Sequence, residues 1–204
     1  MGNGKGLPKR LETAFKHFSE KDLENMLLQL CPALEATAKK AFPEINSPGR
    51  RVKKWLEKNT ALIFYVGCGL THPITFVTDN PDAHLTINWG GKGSLAEVFY
   101  KLVRCHLTHE AEIPEEDIEM IWGYGLGCEN NKVIVSSAMI VGLMLCIVGD
   151  PVNESHKNSI PSGPELLFPD IRDTEKNIAI NINQHWGELL SIKEKIYFNC
   201  NQIA

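Results

Sequence analysis

The stretch GSLAEVFYKLVRCHLTHE, Gly93 to Glu110, joins an amphipathic helix pattern to a dense group of reactive side chains. Leu95, Val98, Phe99, Leu102 and Val103 recur at helical spacing and make one apolar stripe. Ser94 and Glu97 precede that stripe three residues apart, a spacing that lets each side chain cap the other's backbone N–H. The spacing predicts a core helix that opens at this capping box and runs out into Arg104, Cys105, His106, Thr108, His109 and Glu110. The plainest reading of such an end is electrostatic, because basic side chains suit the C-terminal pole of a helix.

Around this stretch the chain reads as mainly helical. LPKRLETAFKHFS places Leu7, Leu11, Ala14, Phe15 and Phe18 on one helical face. Ser19 stands three residues before Asp22 as a candidate capping box for DLENMLLQLCPALEATAKKAF, in which Pro32 predicts a kink or a restart. PEINSPG is turn-rich and leads into RRVKKWLEKNTALIFYV, a further helix carrying Val52, Trp55, Leu56, Leu62, Ile63 and Val66. ITFVTD and HLTINW are short and β-branched, which predicts a hairpin insertion around 72–89. IWGYGLGCENNK is glycine-rich but lacks the spacing and the lysine of phosphate-binding loops, so it reads as a loop or hairpin. VIVSSAMIVGLMLCIVGD predicts a buried helix after a short extended start, and NQHWGELLSIKEKIYF predicts a last helix. The expected organisation is a flexible lead at 1–8, one helical domain over 9–150, and a C-terminal extension over 151–204 packed on that domain.

Composition narrows the classes of function. A hydrophobic fraction of 43% and a charged fraction of 23% over 204 residues fit a globular domain. The longest apolar run, Val133 to Val148, is too short and too broken by Ser136, Ser137 and Gly142 for a membrane span. With no secretory leader and six scattered cysteines, a cytoplasmic setting is expected. The net charge of −4 argues against indiscriminate coating of nucleic acid. A local exception is the segment with Lys39, Lys40, Arg50, Arg51, Lys53, Lys54 and Lys58, against which stand only Glu44 and Glu57. That segment reads either as a solvated helix face or as a track for RNA phosphates.

Two chemical readings compete for the helix end. Cys68-Gly-Leu-Thr-His72 echoes Cys105-His-Leu-Thr-His109, so Cys68, His72, Cys105 and His109 together would make a tetrahedral zinc set. The alternative pairs Arg104 with His109. Metal-free RNA cleavage needs a histidine to move a proton during attack by the 2′-hydroxyl, and a cation to hold charge on the phosphorane. Arginine supplies a fixed fork of donors, with His106, Thr108, Tyr100, Cys105 and Glu110 close by in sequence to support the site. Five residues along a regular helix amount to about 140° of rotation, so the two side chains do not share a face. A two-fold dimer answers that objection by bringing the same helix from two chains into one cleft.

With these residues in view, the chain resembles HEPN-domain proteins (higher eukaryotes and prokaryotes nucleotide-binding). Their signature is an arginine, four to six residues, then a histidine on a core helix of an α-helical bundle. Arg104 and His109 match it, and LLQLCPALEATAKKAFP and LAEVFYKLVRCHLTHEAEIP resemble bacterial members of that group. The resemblance implies a mainly α, HEPN-like bundle with the 72–89 hairpin as an insertion. It further implies a homodimeric endoribonuclease that uses no cofactor or metal and acts in toxin-antitoxin or anti-phage systems beside a partner protein. Cys105 departs from the polar residue, such as asparagine, that follows the arginine in many active members. The departure leaves open a non-catalytic nucleotide-binding, RNA-binding or dimerisation module.

Overall fold

A computed structural model describes residues 6–67, 94–101, 107, 113–123, 125–160, 165–170 and 173–188. The fold is mainly α, with a small three-stranded sheet and a two-stranded ribbon.

Helix α1 (Leu7–Ser19) opens with Pro8 in its first turn, where a missing N–H costs nothing, and buries Leu7, Leu11 and Ala14. It therefore begins inside the segment 1–8 that was expected as a flexible lead. The chain leaves it through Lys21 at φ 61°, with the Asp22 N–H donating to the His17 carbonyl at 2.9 Å. Asp22, not Ser19, caps α2 (Leu23–Ala41): its Oδ1 accepts from the Asn25 N–H at 3.0 Å. The Ser19 hydroxyl instead donates backwards to the Lys16 carbonyl at 2.7 Å.

The expected restart at Pro32 does not occur, and α2 runs through it as one helix. An interior proline costs about 3 kcal/mol in lost backbone bonding and crowding. Leu27, Leu30, Cys31, Ala33 and Leu34 are buried on both sides of it, and that packing holds the helix together. Helix α3 (Pro48–Gly67) follows and buries Val52, Trp55, Leu56, Ile63, Phe64 and Val66.

Helix α4 (Leu95–Val98) starts where the capping box places it. The Ser94 N–H donates to Glu97 Oε2 and the Glu97 N–H to Ser94 Oγ, both at 3.3 Å. The coil then widens to π-helical bonding over 99–101, while Val98 and Phe99 sit in the core. The predicted hairpin at 72–89 lies outside the described residues.

The glycine-rich stretch resolves into part of a sheet of order β1-β3-β2, with β1 (Ile118–Ile121) parallel to β3 (Lys132–Ser136) and β2 (Leu126–Glu129) antiparallel to it. Asn130 and Asn131, at φ 49° and 65°, close the β2–β3 hairpin with the positive dihedrals its right-handed twist favours. From β3 the chain passes directly into α5 (Ser137–Gly149), capped by Ser136 Oγ accepting from the Met139 N–H at 3.3 Å. Every residue of α5 is buried. It crosses α3 at Gly67 and Gly142, where a Cβ on either glycine would enter the other helix's backbone.

After α5 a 3-10 turn (Pro151–His156) leads to an antiparallel ribbon, β4 (Glu165–Asp170) and β5 (Asp173–Asn181), which the sequence pattern did not predict. A 3-10 turn at Ile182–Gln184 and a non-helical stretch over 185–188 occupy the start of the predicted final helix, whose remainder lies outside the described residues. Ile160, Ile182 and Trp186 join the same hydrophobic core as α1, α2, α3 and α5.

Candidate functional site

The described part of the capped helix ends at Tyr100 and Lys101, with Leu107 a separate buried point 2% exposed. Arg104, Cys105, His106, Thr108, His109 and Glu110 lie outside the described residues, as do Cys68 and His72 of the alternative zinc set. Among the described residues, no group of three or more His, Cys, Asp or Glu is placed to hold a metal ion.

Tyr100 is the supporting residue whose setting is visible. Its ring packs over the start of α3, where a Cβ on Gly49 would collide with the Tyr100 hydroxyl. The absence of a side chain at Gly49 is thus what lets the phenol lie on the helix. The Lys53 ammonium stands 5.5 Å from the Tyr100 ring centroid, within reach of a cation–π attraction. The turn before Arg104 is in this way seated against the basic first turns of α3.

Those turns run against the usual electrostatics of a helix. The first turn of α3 contains no acidic residue, while Arg50 and Arg51 follow directly on Pro48 and Gly49. Positive side chains at the positive pole of a 20-residue helix are unfavourable by a few tenths of a kcal/mol each, and they raise the local potential for an anion. Arg51 is partly satisfied by donating to the Ile45 carbonyl at 3.0 Å, whereas Arg50 is exposed.

The basic segment does not form one continuous track. Arg50, Lys54 and Lys58 recur every four residues along the exposed side of α3. Lys54 bends back, its ammonium 4.8 Å from the Phe42 ring centroid and 3.8 Å from Glu44 Oε1. Lys39 is exposed near the end of α2. Lys40 is drawn away to the C-terminal segment, donating to Asn153 Oδ1 at 3.2 Å and reaching His156 Nε2 at 3.1 Å. Of these basic residues, Lys53 stands against Tyr100, while Arg50 is exposed in the first turn of the same helix.

Sequence reasoning missed this second polar cluster. Asn153 is fully buried and its amide donates to Thr37 Oγ1 at 2.9 Å and to the Ile147 carbonyl at 2.8 Å. His156 meets Trp186 edge-on with ring centroids 5.3 Å apart. Burial first, and the Lys40 charge second, hold the His156 imidazole below its ordinary range. The glycine-rich loop, by contrast, has a structural task. Gly123 donates its N–H to Ser137 Oγ at 2.9 Å and its carbonyl accepts from the Ala138 N–H at 3.2 Å. The loop itself occupies the start of α5, where a phosphate cradle would need free N–H groups.

Among the described residues, no helix is long and apolar enough to cross a membrane. A family model described as Rv1289 matches residues 7–203 of the chain. No curated protein and no solved structure matches it.

Proposed function

The chain belongs to the Rv1289 family, and we propose that it is a metal-independent endoribonuclease of the HEPN type, centred on Arg104 and His109. The observation that carries this reading is the Arg104-x4-His109 spacing in the sequence that directly follows the capped helix, whose described end is seated, through Tyr100, on the basic start of α3. His109 moves the proton between the 2′-hydroxyl and the leaving oxygen. Arg104 grips the non-bridging phosphate oxygens as charge builds on them. Arg50 and Lys53 hold neighbouring phosphates by charge alone. The Arg104/His109 cleft belongs to a homodimer, with a cytoplasmic toxin or anti-phage role beside a partner protein.

The test is cleavage of single-stranded and structured RNA by the purified protein in EDTA. Arg104→Ala and His109→Ala each abolish cutting while the helical circular dichroism is unchanged. Equal cleavage by both variants and the wild type sinks the reading.

Cys105, where active HEPN proteins commonly carry a polar residue, favours a second reading as a non-catalytic RNA-binding or dimerisation module. Tight RNA binding by the wild type with no product after prolonged incubation selects that reading over the first.

A further inference from the structure

Lys40 and His156 lie 116 residues apart in sequence and meet with Nζ 3.1 Å from Nε2. An ammonium group has three donors and no acceptor, so the imidazole nitrogen facing it must present a lone pair. With Lys40 charged, the contact fits a neutral ring that carries its proton on Nδ1. Protonation puts a second N–H, and a second positive charge, into the same 3.1 Å contact. The two states of the ring are thus incompatible with one position of Lys40.

We propose that the Lys40–His156 pair is a proton-controlled latch between the end of α2 and the C-terminal segment: protonation of His156 at Nε2 expels Lys40 and loosens the turn Pro151–His156.

The surroundings favour a localised response. Helix α2 contributes Lys40, with Lys39 exposed beside it. The turn carries Glu154, with Asp150 before it and Lys157 after it. Asp150 is committed to the Trp55 indole N–H at 2.8 Å and to the Val152 N–H at 3.1 Å. The segment around Trp186 adds His185 and Glu188. Glu188 is engaged by Lys157 and lies 3.6 Å from His185 Nδ1. Helix α5 carries no charged side chain. Each of these carboxylates except Glu154, which is exposed with its Cβ against Gly187, has a partner of its own. The Asn153 amide bonds to Thr37 and Ile147 do not titrate, so the turn stays tethered while the latch opens.

The latch titrates below the ordinary imidazole value of 6.5, because both burial and Lys40 oppose the charged ring. It is closed at neutral pH and opens on acidification.

Two measurements on the full chain test this. The first is the nitrogen NMR signature of His156 from about pH 4.5 to about pH 8. A bare Nε2 at neutral pH and a midpoint below 6.5 are expected. Lys40→Met raises that midpoint. A proton on Nε2 at neutral pH, or a midpoint unmoved by Lys40→Met, overturns the proposal without reference to whether any His156 variant folds. The second is hydrogen exchange, corrected for its intrinsic pH dependence. The N–H groups of Asn153, Lys157 and Ser159, which donate to Asp150, Glu154 and His156, lose protection on acidification in the wild type. They show no such step in His156→Gln, whose amide oxygen accepts from Lys40 at every pH. The same step in His156→Gln overturns the proposal.

Discussion

The indole N–H of Trp55 donates to Oδ2 of Asp150 at 2.8 Å, tying the middle of α3 to the residue that ends α5. Both residues are buried, and Asp150 also accepts from the Val152 N–H through its other oxygen at 3.1 Å. Trp55→Phe leaves most of the ring volume but strands one carboxylate oxygen, at about 1–3 kcal/mol. Asp150→Ala additionally removes the cap of the following turn and costs more. Urea denaturation of both single variants and the double variant should give a non-additive sum, with a coupling of about 1 kcal/mol or more.

Gly142→Ala sets two effects against each other. An exposed glycine in a helix is worth about 1 kcal/mol less than alanine, so propensity alone favours the substitution. At Gly142 the new Cβ would press into the Ile63 carbonyl and stand 2.9 Å from the Gly67 Cα, both backbone atoms that cannot turn aside. Steric overlap wins: a net loss of about 1–3 kcal/mol is expected. Unchanged or raised melting temperature would show that α3 and α5 separate more easily than their packing implies.

Asp22→Ala removes the α2 cap and destabilises by about 1 kcal/mol. The two hydrogen bonds from Asn25 hold the Asp22 carboxyl below its ordinary value of 3.8. A carboxyl lowered by folding contributes stability that is present above the unfolded value and is lost as pH falls through the folded one. The difference between wild type and Asp22→Ala should therefore be constant near neutrality and shrink below about pH 4. A difference that grows with acidity contradicts the assignment of Asp22 as the cap.

Arg50→Ala and Lys53→Ala are expected to weaken RNA binding alike for every sequence tested. Each should also flatten the dependence of log affinity on log salt by about 0.7 for single-stranded RNA, the share of one phosphate contact. Lys40→Ala serves as the internal comparison, since its ammonium is held by Asn153 and His156 and should leave the salt slope unchanged. Equal slopes for all three variants would remove the start of α3 from the interface.

What could be read from the sequence was local. The Ser94–Glu97 box involves groups three residues apart, so its geometry follows from the helix alone. The change from extended chain to helix within VIVSSAMIVGLMLCIVGD was equally legible, because length and residue type separate β3 from α5. Strand β1 was not legible. Its four residues gain their conformation from parallel pairing with Val133 to Ser136, after an intervening strand. Strand β4 contains Pro169, which argues against a strand on local grounds, and the register shifts at Pro169/Asp170. The basic segment misled for a similar reason: charge counting cannot reveal that Lys40 is claimed by residues 113 and 116 positions away. At the candidate site, Arg104 and His109 are proposed from residue type and spacing alone and lie outside the described residues, while the structure adds the seat of Tyr100 on Gly49.

Helix α5 and the strand leading into it carry no charged side chain between Lys132 and Asp150. In the native protein α1, α2 and α3 share a core with that segment, but a chain that has not yet assembled it exposes a long, sticky ribbon with strand-forming residues at its front. Refolding should therefore be a contest between collapse onto α3 and self-association. Yield from denaturant should fall steeply with protein concentration, and the first soluble aggregates should protect Val133 to Val148 from proteolysis.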